Sequence, residues 1–209
     1  QKSLDTAMSL GIADSVTLDP HKWLFQPYET GCLMARDPGR LEAAFRIMPE
    51  YLQDTELGME HVNFADRGVQ LTRSFRALKV WMSLKVHGRA AHARAVAHGI
   101  EVGDRAGEWI GKRPELHLLS PPSLGIVCFR YVPPGTPEDE QGVDLDEMNR
   151  VIQARIVDEG TAMMSSTRLA GRYSLRLCIM NPESRWSDVQ AVLQRIVEVG
   201  ADVSRSGTR

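Results

Sequence analysis

Cysteine, net charge and long apolar runs are all scarce in this chain of 209 residues, and each scarcity excludes something. The three cysteines, Cys32, Cys128 and Cys178, are far apart and stand among apolar residues. They read as reduced core residues rather than a disulfide framework or a ligand set, a usage that suits a cytoplasmic protein. No apolar run approaches the roughly 18 residues of a membrane span, and no signal peptide is visible. A formal net charge of -2 gives no reason to expect nucleic acid or an anionic membrane as partner. Glycine-rich phosphate loops are absent, so a Rossmann or P-loop reading has no support. His87, His92 and His98 share no i,i+4 spacing and no His-Glu-x-x-His occurs, so they read as solvated helix residues and no metal is expected. What remains is a chain that is 43% hydrophobic, long enough for one large or two small domains. It begins with Gln rather than Met, and we read it as a piece of something longer.

The chemistry-bearing stretch is Val16-Thr17-Leu18-Asp19-Pro20-His21-Lys22-Trp23-Leu24-Phe25. Val16 to Leu18, β-branched and apolar, predict a short buried strand that Pro20 ends. Pro20 also biases Asp19 away from helix, so a sharp connection must follow. Lys22 stands between a histidine and three large apolar residues, where burial would lower its pKa and make the amine nucleophilic, as imine formation requires. The alternative, a surface lysine whose stem lies on apolar neighbours while its charge reaches water, is the commoner case on local context alone.

Asp14 to Phe25, with its His-Lys-Trp core, resembles the cofactor-lysine segment of the group II pyridoxal-phosphate-dependent amino-acid decarboxylases. Aromatic-L-amino-acid, histidine and glutamate decarboxylases belong to that family. The resemblance implies that Lys22 holds pyridoxal 5'-phosphate as an internal aldimine and that His21 lies against the cofactor phosphate. It implies an α/β fold: the end of the large domain of a fold-type I enzyme, followed by a small α+β C-terminal domain. The large-domain part would occupy residues 1–87, including a catalytic loop at 46–68; the long helix and small domain would occupy 88–209. In the family the cofactor lysine follows a long parallel-sheet domain. The aspartate that pairs with the pyridine nitrogen, the group stacked on the ring and most of the phosphate loop would precede this chain. The function implied is decarboxylation of an L-amino acid, aromatic favoured, by a homodimer in the full-length protein, with residues 1–209 alone inactive. The competing reading is a non-catalytic truncated chain, or half of a split enzyme acting as a dimerising partner.

Three further segments carry the resemblance. Arg46 to Gly68 lacks periodicity and contains Pro49 and Gly58, as lids and disordered loops do. Its Met48-Pro49-Glu50-Tyr51-Leu52 resembles the family's active-site loop, which implies that Tyr51 protonates the substrate α-carbon. Tyr rather than Phe at 51 favours simple decarboxylation over the oxidative, aldehyde-forming variants. Gln70 to Trp81 predicts the opening of a long helix, with Phe75, Leu78, Trp81, Met82 and Val86 as its apolar stripe. It resembles the family's Gly-Arg-Arg element, except that Thr72 replaces a small residue and Ser74 the second arginine. Thr72 and Arg73 are therefore candidate substrate contacts, with an ion pair as the equal alternative for Arg73. Arg176 aligns with a position that can meet the substrate carboxylate, although a solvated strand arginine is the commoner case. Asp19 stands where some relatives carry Asn; a carboxylate there would repel phosphate, so its side chain should turn to backbone donors or a cation.

The remaining pattern is local. Leu4 to Ile12 predicts a short helix, Gly31 to Arg36 a second buried strand, and Arg40 to Phe45 a helical turn. Gly88 should break the long helix, with an alanine-rich helix running on towards Trp109. His117–Leu119 and Leu124–Tyr131 predict strands, and Pro133–Gly142 a solvated loop. Asp144 should cap a helix to Gly160 with Met148, Val151, Ile152, Ile156 and Val157 inward. Ala162–Thr167 and Tyr173–Met180 predict paired strands, and Trp186–Val199 a last amphipathic helix.

Overall fold

Extended backbone at Ser15–Leu18 (β1) pairs antiparallel with Cys32–Ala35 (β2), in register from Ser15↔Ala35 to Leu18↔Cys32. The structure is a computed structural model and describes residues 10–46, 62–136 and 144–206. Most of the expected Leu4–Ile12 helix lies outside these residues. Between the strands, Pro20–Trp23 form a single helical turn (α1) that begins on the fixed φ of Pro20. Pro38–Phe45 (α2) follows, with the Asp37 carboxylate accepting from the Gly39 N–H at 2.9 Å. A 3-10 turn at Phe64–Arg67 is tied to α2 by Arg67, whose guanidinium lies 2.7 Å from Glu42 Oε1. The helix Ala77–Ile110 (α3) is interrupted at Gly88, where φ of 78° is outside the helical range. The described residues divide at that point into two compact units, one ending at Gly88 and one beginning at Arg89.

Two expectations for the first unit need correction. β1 and β2 are not buried: along β1 exposed and half-buried residues alternate, and Leu33 and Met34 of β2 are about half exposed. A two-stranded sheet has no second layer of its own to cover its faces. The long helix begins at Ala77 rather than Gln70, because Thr72 and Ser74 disfavour helix and Gln70–Phe75 is irregular. The stripe of Phe75, Leu78, Trp81, Met82 and Val86 is solvent-exposed.

The second unit is a four-stranded antiparallel sheet in the order β3-β4-β6-β5, comprising Leu116–Leu118 (β3), Ile126–Tyr131 (β4), Ser165–Leu169 (β5) and Arg172–Cys178 (β6). Leu124, expected in β4, instead turns with Gly125 at positive φ. Leu145–Asp158 (α4) starts at Asp144, whose carboxylate accepts from the Glu147 N–H at 2.9 Å, and the chain leaves it through Gly160 at φ 69°. Trp186–Ser206 (α5) completes the unit. One core joins Ala106 and Ile110 of α3, Phe129 and Leu175 of the sheet, Ile152 and Ile156 of α4, and Leu193 and Ile196 of α5. The alternation that predicted these faces is the alternation that buries them.

His92 is buried and His98 Nε2 lies 2.8 Å from the Ser184 carbonyl, so these two are inward helix residues, contrary to the solvated reading. Among the described residues no three His, Cys, Asp or Glu side chains cluster as metal ligands, and no helix is long and apolar enough to cross a membrane. All three cysteines are free; Cys128 is buried and the other two half-buried.

Candidate active site

The end of β1 delivers Asp19 in extended conformation (φ -110°) directly into α1, so His21 and Lys22 lie one and two residues inside a single turn. The chain then returns through Gln26 to Thr30, both buried, and into β2. Gln26 N donates to the Pro20 carbonyl at 3.1 Å and Lys22 N to the Asp19 carbonyl at 2.9 Å, which locks the turn.

The His21 ring is held from two sides. Its Nδ1 lies 2.8 Å from the Thr30 carbonyl oxygen and 3.1 Å from the Thr30 nitrogen. The Tyr28 ring meets it edge-on, with centroids 5.1 Å apart and planes at 67°. With Nδ1 engaged by the backbone, Nε2 is the ring nitrogen left for another ligand.

Lys22 departs from the buried expectation: its side chain is 58% exposed, and its Nζ lies 2.7 Å from Asp19 Oδ2. Trp23, Leu24 and Phe25 are each half-buried and do not enclose the amine. Asp19 turns to a cation, as expected, and that cation is Lys22. The hydrogen bond from Lys22 holds the Asp19 carboxyl below its ordinary range, opposed by slight burial and helped by the Lys22 and His21 charges.

A second layer of charge supports the return loop. Arg76 donates to the Glu29 carboxylate through Nε at 3.1 Å and through Nη2, and to Gln70 Oε1 at 3.3 Å. Lys79 Nζ lies 3.3, 3.5 and 3.2 Å from the carbonyl oxygens of Pro27, Tyr28 and Glu29. The Arg76 hydrogen bond, then its charge, lower the Glu29 carboxyl below its ordinary range. Sequence reasoning passed over these residues. The available signal was the i,i+3 spacing of Arg76 and Lys79, with Glu29 as the one acid between Lys22 and Asp37.

The structure brings His21 and Lys22 together. Thr72 and Arg73 lie on the exposed irregular stretch before α3, where Arg73 Nε donates to the Gln70 carbonyl at 3.2 Å. Arg176 belongs to the second unit, where it donates to Ser165 Oγ at 3.2 Å and lies 3.7 Å from Cys178 Sγ. Tyr51 and its loop segment Met48–Leu52 lie outside the described residues.

An accessible primary amine next to an imidazole with one free nitrogen fits an aldehyde-bearing phosphate: the amine can condense with the carbonyl and the imidazole can meet the phosphate. Lys22 and His21 are the residues that would hold such a group. The fold has the same meaning. The chain superposes on the rice (Oryza sativa) enzyme TDC with PLP and tryptamine at a TM-score of 0.83 and 26% identity, covering 92% of this chain and 40% of that one. On tryptophan decarboxylase of Catharanthus roseus in complex with L-tryptophan the TM-score is 0.77 at 25% identity, over 93% and 40%. These are decarboxylases of the fold-type I, pyridoxal-phosphate-dependent class.

Residues 3–132 match the family described as the pyridoxal-dependent decarboxylase conserved domain, and the chain belongs to that family. Aromatic-L-amino-acid decarboxylase of Bacillus atrophaeus is 41% identical over 204 residues, 96% of this chain and 42% of the relative. L-2,4-diaminobutyrate decarboxylase of Rhizobium meliloti (strain 1021) is 31% identical over 198 residues, 94% of this chain and 39% of the relative. The chain thus spans about two fifths of the length of the curated relatives it matches.

Proposed function

We propose that the full-length protein is a homodimeric, pyridoxal-phosphate-dependent decarboxylase that converts an aromatic L-amino acid to its amine and carbon dioxide. Lys22 is the residue that carries the cofactor, and Tyr51 is the acid that returns a proton to Cα. The observation that carries this reading is the accessible Lys22 amine, 2.7 Å from Asp19 and next to His21, within the stretch that matches the family. When bound, the cofactor supplies an electron sink for the bond to the departing carboxylate.

The residues of this chain supply the rest. Lys22 must leave Asp19 to bind, and Asp19 keeps a charge ready to receive the amine when it is released. His21 offers Nε2 to the phosphate while Thr30 fixes Nδ1. Thr72, Arg73 and Arg176 are proposed to meet the substrate. The aromatic preference is supported by the name of the Bacillus atrophaeus relative and by the tryptamine of the rice complex. The proposed proton donor, Tyr51, sets the product as amine.

A second reading, a non-catalytic chain that acts as a dimerising partner, is favoured by one observation. Among the described residues nothing encloses Lys22, and burial is what would make its amine reactive. The two readings separate in one experiment. Full-length protein is incubated with pyridoxal phosphate, reduced with borohydride and digested, and a panel of aromatic, acidic and basic amino acids is assayed for amine release. Cofactor trapped on the Lys22 peptide, with amine from aromatic substrates, supports the decarboxylase. No trapping gives the non-catalytic reading, and amine from acidic or basic substrates alone overturns the aromatic assignment.

A further inference from the structure

We infer that Arg76 and Lys79 are positioning residues for the cofactor site: they clamp the Tyr28-Glu29-Thr30 turn that orients the His21 ring beside Lys22. The inference rests on the proposed role of His21 and Lys22. Among the described residues, the contacts that fix the His21 ring come from residues 28 and 30. Thr30 offers its backbone nitrogen and carbonyl to Nδ1 at 3.1 and 2.8 Å, and Tyr28 offers its ring edge at 5.1 Å. Glu29, between them, is where the clamp closes.

The two clamp residues divide the work by chemistry. Arg76 is planar and forked; it meets the Glu29 carboxylate through Nε at 3.1 Å and through Nη2. Lys79 is a point charge with rotating donors, and three successive carbonyls converge on it within 3.5 Å. An i,i+3 spacing puts both on one side of the start of α3. Glu29 is more than half exposed, so the ion pair itself contributes little to stability. Its consequence is directional: losing it lets residues 28 to 30 swing, and the imidazole loses its fixed Nε2 direction. Groups that orient a ligand histidine without touching the ligand typically cost 10–100-fold in affinity when removed, on the precedent of metal sites.

The test uses full-length protein. Pyridoxal phosphate is titrated into wild type, Arg76→Met, Arg76→Lys, Lys79→Met and the exchanged pair Glu29→Arg with Arg76→Glu. The dissociation constant is read by absorbance, and thermal midpoints are recorded in the absence of cofactor. The expected result is on the order of tenfold weaker cofactor binding in Arg76→Met and Lys79→Met. Thermal midpoints should stay near wild type, and Arg76→Lys and the exchanged pair should regain most of the affinity. Wild-type affinity in both methionine variants overturns the inference. So does a loss of affinity that tracks a fall in midpoint and is not rescued by Arg76→Lys. Wild-type protein that takes up no cofactor at Lys22 sinks the reading beneath it as well; trapping at Lys22 with unaffected variants sinks the clamp alone.

Discussion

Replacing Asn149 by leucine should destabilise the second unit by about 3 kcal/mol, because Asn149 substitutes for a missing strand. The β4–β6 ladder runs from Ile126↔Cys178 to Phe129↔Leu175, and the pairs that would follow in that register are Arg130↔Ser174 and Tyr131↔Tyr173. The ladder stops before these pairs. Asn149 is fully buried; its Oδ1 accepts from the Tyr131 N–H at 2.7 Å, and its Nδ2 donates to the Tyr131 carbonyl at 2.8 Å. The side-chain amide thus plays the part of a peptide group. Leucine is similar in volume but strands both backbone groups of Tyr131, each at about 1–3 kcal/mol. Relief of the amide's own burial offsets part of that cost. The assay is urea unfolding of the full-length protein, followed by amide hydrogen exchange at Tyr131. A change below about 1 kcal/mol, with Tyr131 still protected, would refute the reasoning, since it would mean water or the opposing strand replaces the amide at no cost.

Three further outcomes are expected. The Asp146 carboxyl is raised by burial, but the Tyr173 N–H, the Arg168 hydrogen bond and the Arg130 charge outweigh this and hold it below its ordinary range. Its contribution is therefore present at neutral pH and lost as pH falls through the depressed value, so Asp146→Asn should lower stability at pH 7 and flatten acid unfolding. Gly103→Ala places a Cβ 2.9 Å from Gly125 Cα, a backbone atom that cannot step aside, and should cost roughly 1–3 kcal/mol in urea unfolding despite alanine's better helix propensity. Tyr51→Phe removes the proposed proton donor, and the ratio of aldehyde to amine product should rise when both are measured from one aromatic substrate; an unchanged ratio would retire Tyr51 from that role.

Local rules made most of the second unit legible. Asp144 caps its helix as its side chain and position predict, and Ile152 and Ile156 point inward because helical periodicity leaves them nowhere else to go. What escaped was polar. Asn149 and Asp146 sit three apart on α4, between apolar positions, and look like an ordinary solvated edge. Their partners are backbone groups of Tyr131 and Tyr173, far away in sequence, and no pattern along the chain announces such a bond. The same holds for the candidate site. His21 and Lys22 were legible as a contiguous motif, whereas Glu29, Arg76 and Lys79 join across 47 to 52 residues. Thr72 and Ser74 fall within the expected opening of the long helix, and two hydroxyl residues there delay it to Ala77.

Burial differs from expectation mostly in the first unit, although in the second His92 and His98 turn inward and Val157 of α4 is exposed. Every buried apolar core residue among those described lies between Val102 and Val199. The apolar stripe expected on α3 before Gly88 is exposed, and so are Leu33 and Met34 of β2, which was expected to be buried. Periodicity states which side of an element is apolar; it does not supply the surface that covers it. The exposure of Lys22, the commoner case on local context, has the same origin. Three large apolar neighbours in sequence suggested a desolvated amine, but Trp23, Leu24 and Phe25 are themselves half-buried and leave Nζ to water and Asp19. The low-dielectric surroundings that would make the amine nucleophilic must therefore come from groups other than the described residues around it, whereas described residues of this unit, Tyr28 and Thr30, hold the His21 ring. Affinity for the phosphate and reactivity of the amine should accordingly be separable. Clamp variants at Arg76 should weaken cofactor binding without changing the pH at which the bound form titrates, and a variant that moves both together would show that one environment controls the two.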